Sequence, residues 1–241
     1  MPPSSRPDAP AAVAAGFVVH ALVPAAGRGE RFGGDVPKQL LEVGGRPLVA
    51  WTVQGLLAAG CASLVVALPE EVLAGAPERF GSDPRVRFVA GGATRQASVA
   101  LALAASPARG EDLVAVHDGA RAALAGRDFA AAVAAARAHG GAVLGRAVTD
   151  TVKEIAGGRV VRTVDRTRLF RAETPQVFRR ADLERALEAA RRDRFVGTDE
   201  ASLVERLGDV EIAAVEATGP NPKVTWAEDL GAVERLLRER G

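Results

Sequence analysis

The chain has 241 residues, 48% of them hydrophobic, and a net charge of +1, which suffices for one large domain or two small ones. The low net charge supplies no bulk field for nucleic acid or an anionic membrane, and only 4% aromatic residues without any tyrosine argue against a base-stacking surface. No segment approaches the ~18 uninterrupted apolar residues of a membrane span. We therefore expect neither a nucleic acid nor a membrane as partner.

Cys61 is the only cysteine, so no intramolecular disulfide can form. This fits a reducing compartment, and we expect a cytoplasmic protein in which Cys61 is a packing residue. Residues 1–16 are rich in Pro, Ala and Ser and resemble a signal peptide only faintly. We predict a disordered extension there and a single domain over residues 17–241.

Strands and helices are predicted to alternate along the first two thirds of this domain. Short apolar runs indicate buried strands at residues 17–23, 62–68, 86–90, 113–117 and 142–148. Helices are predicted from Pro47 to Gly60, after Gly91-Gly92, and over residues 128–139. This alternation predicts a parallel α/β sheet with helices on both faces.

The pattern changes at residues 151–166, which read as a β-hairpin with Gly157-Gly158 as its turn. A two-stranded ribbon with so little apolar surface is marginal alone, so we expect it to project and be stabilised by another subunit. The alternative is a ribbon folded onto its own domain. Beyond it we predict helices at 181–193 and from Thr198, a strand at 210–215, and a C-terminal helix with a Thr225/Glu228 capping box.

A glycine-rich loop follows the first strand, and its small residues let a ligand approach backbone N–H groups. It also carries the cations Arg31 and Lys38, which suits a polyphosphate. The loop is no Walker A motif, and Phe32 replaces the third glycine of a dinucleotide-binding fingerprint.

Four loops are predicted to meet at the carboxyl ends of the parallel strands, where open sheets bind ligands. They are the first loop, Gly91-Gly92, residues 118–121 and Asp150-Thr151. Together they supply glycine-rich backbone, four cations and two acids: Arg31, Lys38, Arg95, Arg121, Asp118 and Asp150. Such a set suits phosphoryl or nucleotidyl transfer assisted by a divalent ion. The sequence offers no Ser-His-Asp arrangement, and its three histidines are too dispersed for a zinc site.

Several short motifs follow one another along the chain. They are Pro-Ala-Ala-Gly-x-Gly-x-Arg with Pro-Lys-Gln, Gly91-Gly92 with Arg95 and Ser98, His117-Asp118-x-Ala120-Arg121, and residues 150–153, 163–166, 174–176, 198–202 and 223–225. In this order they resemble the motifs of the 2-C-methyl-D-erythritol 4-phosphate cytidylyltransferases. The resemblance covers the chain from about His20 to Leu237.

This resemblance implies a Rossmann-like nucleotidyltransferase fold, with a mostly parallel twisted sheet and a projecting β-hairpin dimerisation arm. It also implies that CTP and 2-C-methyl-D-erythritol 4-phosphate give the cytidine diphosphate adduct and pyrophosphate, a step of the non-mevalonate isoprenoid route. The cofactor implied is Mg²⁺ or another divalent cation. The partners implied are CTP, a polyol phosphate and a second copy of the chain.

The resemblance also implies residue roles. Arg31 and Lys38 would stabilise the charge growing on the α-phosphate, and Arg166 and Lys223 would hold the acceptor for attack. The arm exchanges between subunits in this family, so Arg166 is a candidate for the neighbouring site. The nucleotide-binding residues implied are Pro24, Ala25, Ala26, Gly27, Gly29, Lys38, Gly92, Ala93, Ser98 and Asp118. The substrate-binding residues implied are Asp118, Arg121, Thr151, Arg166, Thr174, Thr198 and Lys223, with Asp118 also the metal candidate.

The chain departs from the family pattern at Ala93, where an acidic residue is often found, and at Gly119 and Ala122. None of these changes removes a cation assigned to the transition state. Three alternatives stay open at this point: a cytidylyltransferase for another polyol phosphate such as ribitol 5-phosphate, an NAD(P)-dependent oxidoreductase, and a catalytically idle nucleotide-binding module.

Overall fold

The computed structural model describes residues 18–27, residue 37 and residues 40–239. The predicted extension 1–16 and the loop residues Gly29, Arg31 and Lys38 lie outside the described residues. The strands in these ranges are β1 (Val19–Pro24), β2 (Glu42–Val43), β3 (Arg46–Pro47), β4 (Ser63–Leu68), β5 (Val86–Ala90), β6 (Leu113–Val116), β7 (Gly140–Ala147), β8 (Val152–Ala156), β9 (Arg159–Val164), β10 (Phe170–Arg179) and β11 (Glu211–Glu216).

Helices connect most of these strands, as the sequence predicted. They are α1 (Leu48–Ala58), α2 (Ala76–Phe80), α3 (Arg95–Ala105), α4 (Gly126–His139), α5 (Arg180–Asp193), α6 (Glu200–Val204) and α7 (Asp229–Arg238). None of the helices in the described ranges has both the length and the apolar composition that crossing a membrane requires.

Within the described ranges, the central sheet has seven strands in the order β11-β7-β10-β6-β1-β4-β5. β1 pairs in parallel with β4 and β6, β4 with β5, and β7 with β11. Only β10 runs antiparallel, between β6 and β7. The predicted α/β class with a mostly parallel sheet is confirmed, and the carboxyl ends of six strands face one edge.

The sequence analysis predicted no strand at β10, although it occupies the middle of the sheet. Its sequence contains charged residues and Pro175, which cannot donate to a ladder hydrogen bond and argues against a central strand. The structure accommodates Pro175 where the pairing with β7 shifts register, between Ala172 and Gln176. Only the pairing with both neighbours reveals this strand.

The two faces of the sheet carry separate layers of helices, which confirms the prediction. Alternate residues of β1 divide between them: Val23 packs with α1, α2 and α4, and Leu22 packs with α3, α5 and α6. Cys61 belongs to the first layer and is 1% exposed. Burial raises the pKa of its thiol to about 12, which fits the predicted packing role.

The predicted hairpin forms a two-stranded sheet of its own, β8 with β9, turning at Gly157 and Gly158. Most of its side chains are exposed, including those of Ile155, Val160 and Val161 at 68%, 63% and 56%. We call residues 151–166 the arm. Its contact with a second subunit stays a prediction.

The predicted capping box at Thr225 and Glu228 is wrong. α7 begins at Asp229, and Glu228 makes no side-chain capping bond. Instead, the Asp229 carboxylate accepts hydrogen bonds from the backbone N–H groups of Thr225 and Trp226, at 2.7 and 2.8 Å. A capping box does form at α6, between Asp199 and Ser202.

Candidate active site

The loops after β1, β5 and β6 meet at the carboxyl edge of the sheet. A Cβ on Gly91 would lie 2.1 Å from the Cβ of Ala26, and one on Gly119 would lie 2.9 Å from the Cβ of Ala25. Contacts below 3.0 Å do not occur, so glycine is needed at both positions. Three of the four loops that the sequence analysis expected to converge are therefore in contact.

Ser98 is a predicted nucleotide-binding residue whose side chain is buried and holds the second glycine loop in shape. Its hydroxyl accepts from the Gly92 N–H and donates to the Thr94 carbonyl, both at 3.0 Å. Gly92 is half-buried and Ala93 is exposed. Ser98 therefore fixes the shape of the loop backbone at Gly92 and Thr94, and its role towards a nucleotide stays a prediction.

A pocket opens beside these loops. It is lined by Arg95, Asp118, Arg121, Ala172, Glu173, Thr174, Gln176, Thr198, Asp199 and Lys223. The structure thus brings together five predicted substrate-binding residues, Asp118, Arg121, Thr174, Thr198 and Lys223. Ala172, Glu173, Gln176 and Asp199 had not been proposed for the site, and most of them belong to the unpredicted strand β10.

Asp118 is the centre of this pocket. Its Oδ2 lies 2.7 Å from Lys223 Nζ and 3.7 Å from Arg121 Nε, and its Oδ1 lies 3.1 Å from Arg95 Nε. Burial alone would raise the pKa of Asp118, but the surrounding cations, Arg95 and Lys223 foremost, hold that pKa well below its usual value. Asp118 is therefore ionised and gathers three cations.

Lys223 reaches Asp118 because its loop is tied to the loop after β6. The Val224 N–H donates to the Ala120 carbonyl at 2.9 Å, and Arg121 Nη1 donates to the Asn221 carbonyl at 2.6 Å. The Lys223 side chain is 37% exposed, so its ammonium also faces solvent. It is placed to meet an incoming anion.

Arg121 lies between two carboxylates, Asp118 and the buried Glu173, whose Oε2 is 3.7 Å from Arg121 Nη1. Arg146 and Arg171 approach the other oxygen of Glu173, at 3.4 and 3.6 Å. The sequence analysis missed Glu173 because no motif marks it. Only the position of β10 beside β6 brings it to the pocket.

His117 is buried and its environment fixes its tautomer. Its Nε2 lies 2.9 Å from the Arg121 carbonyl, which can only accept, so Nε2 carries the hydrogen. Its Nδ1 then accepts from the Thr174 hydroxyl at 3.1 Å, while that hydroxyl accepts from the Asp118 N–H at 3.0 Å. Burial, chiefly, lowers the pKa of His117 to about 4, which supports a structural histidine rather than a base.

Two predicted residues are not among those that line this pocket. Arg166 is exposed at the end of the arm, where its guanidinium donates to the Thr149 carbonyl, and Thr151 is exposed at the start of the arm. Among the described residues neither lines the pocket of its own chain. Arg31, Lys38 and Gly29 lie outside the described residues.

Comparison with known proteins identifies the family. Residues 19–239 match the family model of 2-C-methyl-D-erythritol 4-phosphate cytidylyltransferase. The protein of that name from Cereibacter sphaeroides is 41% identical over 219 residues, which is 90% of this chain and 96% of the relative.

The chain belongs to the 2-C-methyl-D-erythritol 4-phosphate cytidylyltransferase family.

Two further relatives show how much of each protein the similarity covers. The cytidylyltransferase of Thermus thermophilus, solved as a crystal structure, is 35% identical, covers 90% of this chain and 98% of its own, and superposes with a TM-score of 0.72. A bifunctional IspD/IspF enzyme of Rhodospirillum rubrum is 40% identical, but this chain spans only 58% of its length. The chain thus matches nearly the full length of these two single-function relatives and about three fifths of the bifunctional one.

Proposed function

We propose that this chain transfers the cytidylyl group of CTP to 2-C-methyl-D-erythritol 4-phosphate. A phosphate oxygen of the acceptor bonds to the α-phosphorus of CTP, and the bond from that phosphorus to the β-phosphate bridge breaks, releasing pyrophosphate. The observation that carries the proposal is the cluster of Arg95, Arg121 and Lys223 around Asp118, in a chain of the cytidylyltransferase family. Family membership also favours this transfer over the oxidoreductase alternative.

The physical task is to bring two polyanions into contact. Lys223, bound to Asp118 yet partly exposed, is suited to hold the acceptor phosphate, because an ammonium can turn from one oxyanion to another. Holding both reactants in line removes much of the entropic barrier. Arg31 and Lys38 keep their assigned role, stabilising the charge that grows on the α-phosphate.

Thr174 takes a different role from the one expected. Its hydroxyl hydrogen points to His117 Nδ1 and its oxygen accepts from the Asp118 N–H. We therefore assign Thr174 to fixing Asp118 rather than to donating a hydrogen bond to substrate. Thr198, which lines the pocket and is exposed, keeps its hydroxyl available for the acceptor.

The donor set of the pocket fits Mg²⁺ held mainly by the nucleotide. In the described part of the chain no three His, Cys, Asp or Glu side chains come together as a metal cluster. Mg²⁺ commonly takes one or two carboxylates together with substrate phosphates, and Asp118 would be that one carboxylate. When bound, the ion would neutralise charge on the phosphate oxygens.

The arm supports a proposed homodimer. Ile155, Val160 and Val161 expose apolar side chains on a ribbon that has little to pack against in its own chain. Covering them with a second copy would also carry Thr151 and Arg166 towards the neighbouring pocket. We further propose a cytoplasmic location, because the buried Cys61 is the only cysteine and no intramolecular disulfide can form.

A pyrophosphate-release assay with magnesium tests the function. CTP, UTP, ATP and GTP are each paired with 2-C-methyl-D-erythritol 4-phosphate and with ribitol 5-phosphate. We expect release from CTP with the first acceptor at a kcat/KM well above every other pair. A higher kcat/KM with ribitol 5-phosphate would show that this compound is the acceptor. Absence of pyrophosphate release from every pair would support the catalytically idle nucleotide-binding module.

A further inference from the structure

Glu200 is a buried carboxylate that none of the roles above uses. It is 1% exposed and lies at the start of α6. It does not cap that helix, since the Asp199 side chain accepts from the Ser202 N–H. Removing a carboxylate from water costs free energy unless hydrogen-bond or ion-pair partners offset that cost. Because Glu200 does not cap the helix, other contacts must account for its burial.

The partner of Glu200 is Arg95. Glu200 Oε1 lies 2.7 Å from Arg95 Nη1, across 105 residues of sequence. Glu200 Oε2 is buried without a hydrogen bond. Burial raises the pKa of Glu200, and the charge of Arg95 opposes that rise. The carboxylate therefore depends on this one ion pair.

Arg95 joins Glu200 to the centre of the pocket. While Nη1 faces Glu200, Nε of the same guanidinium lies 3.1 Å from Asp118 Oδ1. A guanidinium is planar, so two carboxylates bound to different nitrogens fix its orientation. With Oδ1 held in this way, Asp118 presents Oδ2 to Lys223 at 2.7 Å.

The short helix that carries Glu200 is itself anchored. Gln176 of β10 donates to the Asp199 carboxylate at 2.7 Å and accepts from the Ala201 N–H at 2.9 Å. These bonds flank Glu200 on both sides and fix its backbone to the centre of the sheet. The Glu200 carboxylate can therefore hold the Arg95 guanidinium in a fixed position.

We infer, on the basis of the acceptor site proposed above, that Glu200 is a positioning residue for cytidylyl transfer. It holds Arg95 so that Arg95 orients Asp118, and Asp118 in turn holds Lys223 where the acceptor phosphate binds. Glu200 does not itself touch the reactants.

The test is Glu200→Gln, with Glu205→Gln as the matched control. Glu205 is exposed and follows α6 directly, so its variant removes the same charge without a buried contact. We expect Glu200→Gln to lower kcat/KM for the acceptor about 10- to 100-fold, the size of loss that slight misplacement of reacting groups causes. Glu205→Gln should match the wild type.

A double-variant cycle distinguishes positioning from a general contribution to stability. If Glu200 acts through Asp118, Glu200→Gln should cost less than about threefold when Asp118→Asn is already present, because interacting sites are not additive. Equal losses in both backgrounds, or a loss fully explained by the unfolded fraction in thermal denaturation, would overturn the inference.

Arg95→Lys provides a second and independent measurement. Lysine keeps the charge but cannot place separate nitrogens of one rigid plane on Glu200 and Asp118, so we expect the same acceptor defect. If Glu200→Gln fails to fold, Arg95→Lys decides the question, and wild-type turnover would overturn the inference. If Lys223→Ala is also fully active, the acceptor site itself is wrong, which is a different failure.

Discussion

The pocket and the arm are built in opposite ways. The pocket side chains come from separate elements and are fixed by buried contacts: Asp118 meets Arg95, Arg121 and Lys223 within 3.7 Å. The arm, residues 151–166, consists of two strands that expose most of their side chains. The pocket cations are arranged within one chain, whereas Thr151 and Arg166 are not brought to it.

Because of this difference, we expect the pocket and the arm to contribute to the proposed reaction in different ways. A prearranged charge cluster needs no reorganisation during the reaction, which is what electrostatic stabilisation of a transition state requires. The exposed arm is suited to contribute to a site only when another surface covers it. Each prediction below tests either the pocket or the arm, starting with the largest expected effect.

Lys223→Ala should lower kcat/KM for the acceptor about 10²- to 10³-fold, as removal of a preorganised donor does elsewhere. The fold should persist, because the ammonium is partly exposed. Steady-state pyrophosphate release, with circular dichroism as a check on folding, measures this. Arg235→Ala, at an exposed position of α7, should behave as the wild type. A change of less than threefold in Lys223→Ala would show that the pocket cluster does not bind the acceptor.

His117→Gln tests whether the buried contacts of the pocket keep His117 neutral. Folding lowers the pKa of wild-type His117 from 6.5 to about 4, so between these pH values the unfolded state binds a proton on His117 and the folded state does not. Wild-type stability from this group is complete above pH 6.5 and is lost as the pH falls towards 4, by on the order of 3 kcal/mol. The stability difference between wild type and variant should shrink accordingly in urea unfolding at pH 7, 5.5 and 4. A constant difference would mean that His117 titrates normally in the folded chain.

Mixing two inactive variants tests whether the arm serves a neighbouring site. In a homodimer with exchanged arms, Lys223→Ala and Arg166→Ala subunits form one intact site per mixed dimer. Random exchange should then restore about a quarter of wild-type activity, the product of one mixed dimer in two and one intact site in two. No recovery, with mixed dimers shown by mass spectrometry, would place Arg166 at the pocket of its own chain.

Asp229→Ala should have the smallest effect. The Asp229 carboxylate accepts from the Thr225 and Trp226 N–H groups, just beyond Lys223. Its loss should cost about 1 kcal/mol of stability, as loss of a helix cap does, and leave activity within about fivefold. Thermal unfolding and acceptor kinetics measure the two effects. A loss of activity as large as that of Lys223→Ala would show that the Asp229 carboxylate alone holds the loop that carries Lys223 in place.

Much of the fold and part of the site followed from sequence. Buried parallel strands are continuous apolar runs, so β1, β4, β6 and β7 were placed with small errors at their ends. The strand β5 was also placed, but the prediction that it is buried is wrong, because it lies at the edge of the sheet and none of its residues is fully buried. Gly157-Gly158 marked the arm, because a tight turn needs such residues. Strand β10 was missed, since its charged residues and Pro175 do not follow the apolar pattern of a central strand.

Glu173 lies outside every matched segment, and although Gln176 and Glu200 lie within segments 174–176 and 198–202, sequence reasoning gave neither of them a place in the site. A buried glutamate has the same local signature as an exposed one, and its partner lies many residues away. Burial and ion pairing depend on which elements pack together, and no spacing along the chain encodes them.

The sequence by itself determined the parallel α/β architecture and the glycine loops at the strand ends. These follow from local rules: apolar runs that must be buried, and small residues where backbones approach closely. Only the tertiary structure decided that Asp118 would hold Arg95, Arg121 and Lys223 together, with Glu200 and Glu173 behind the arginines. The reason is that buried charges are stable only in pairs, and the pairs form between segments that meet when the sheet assembles.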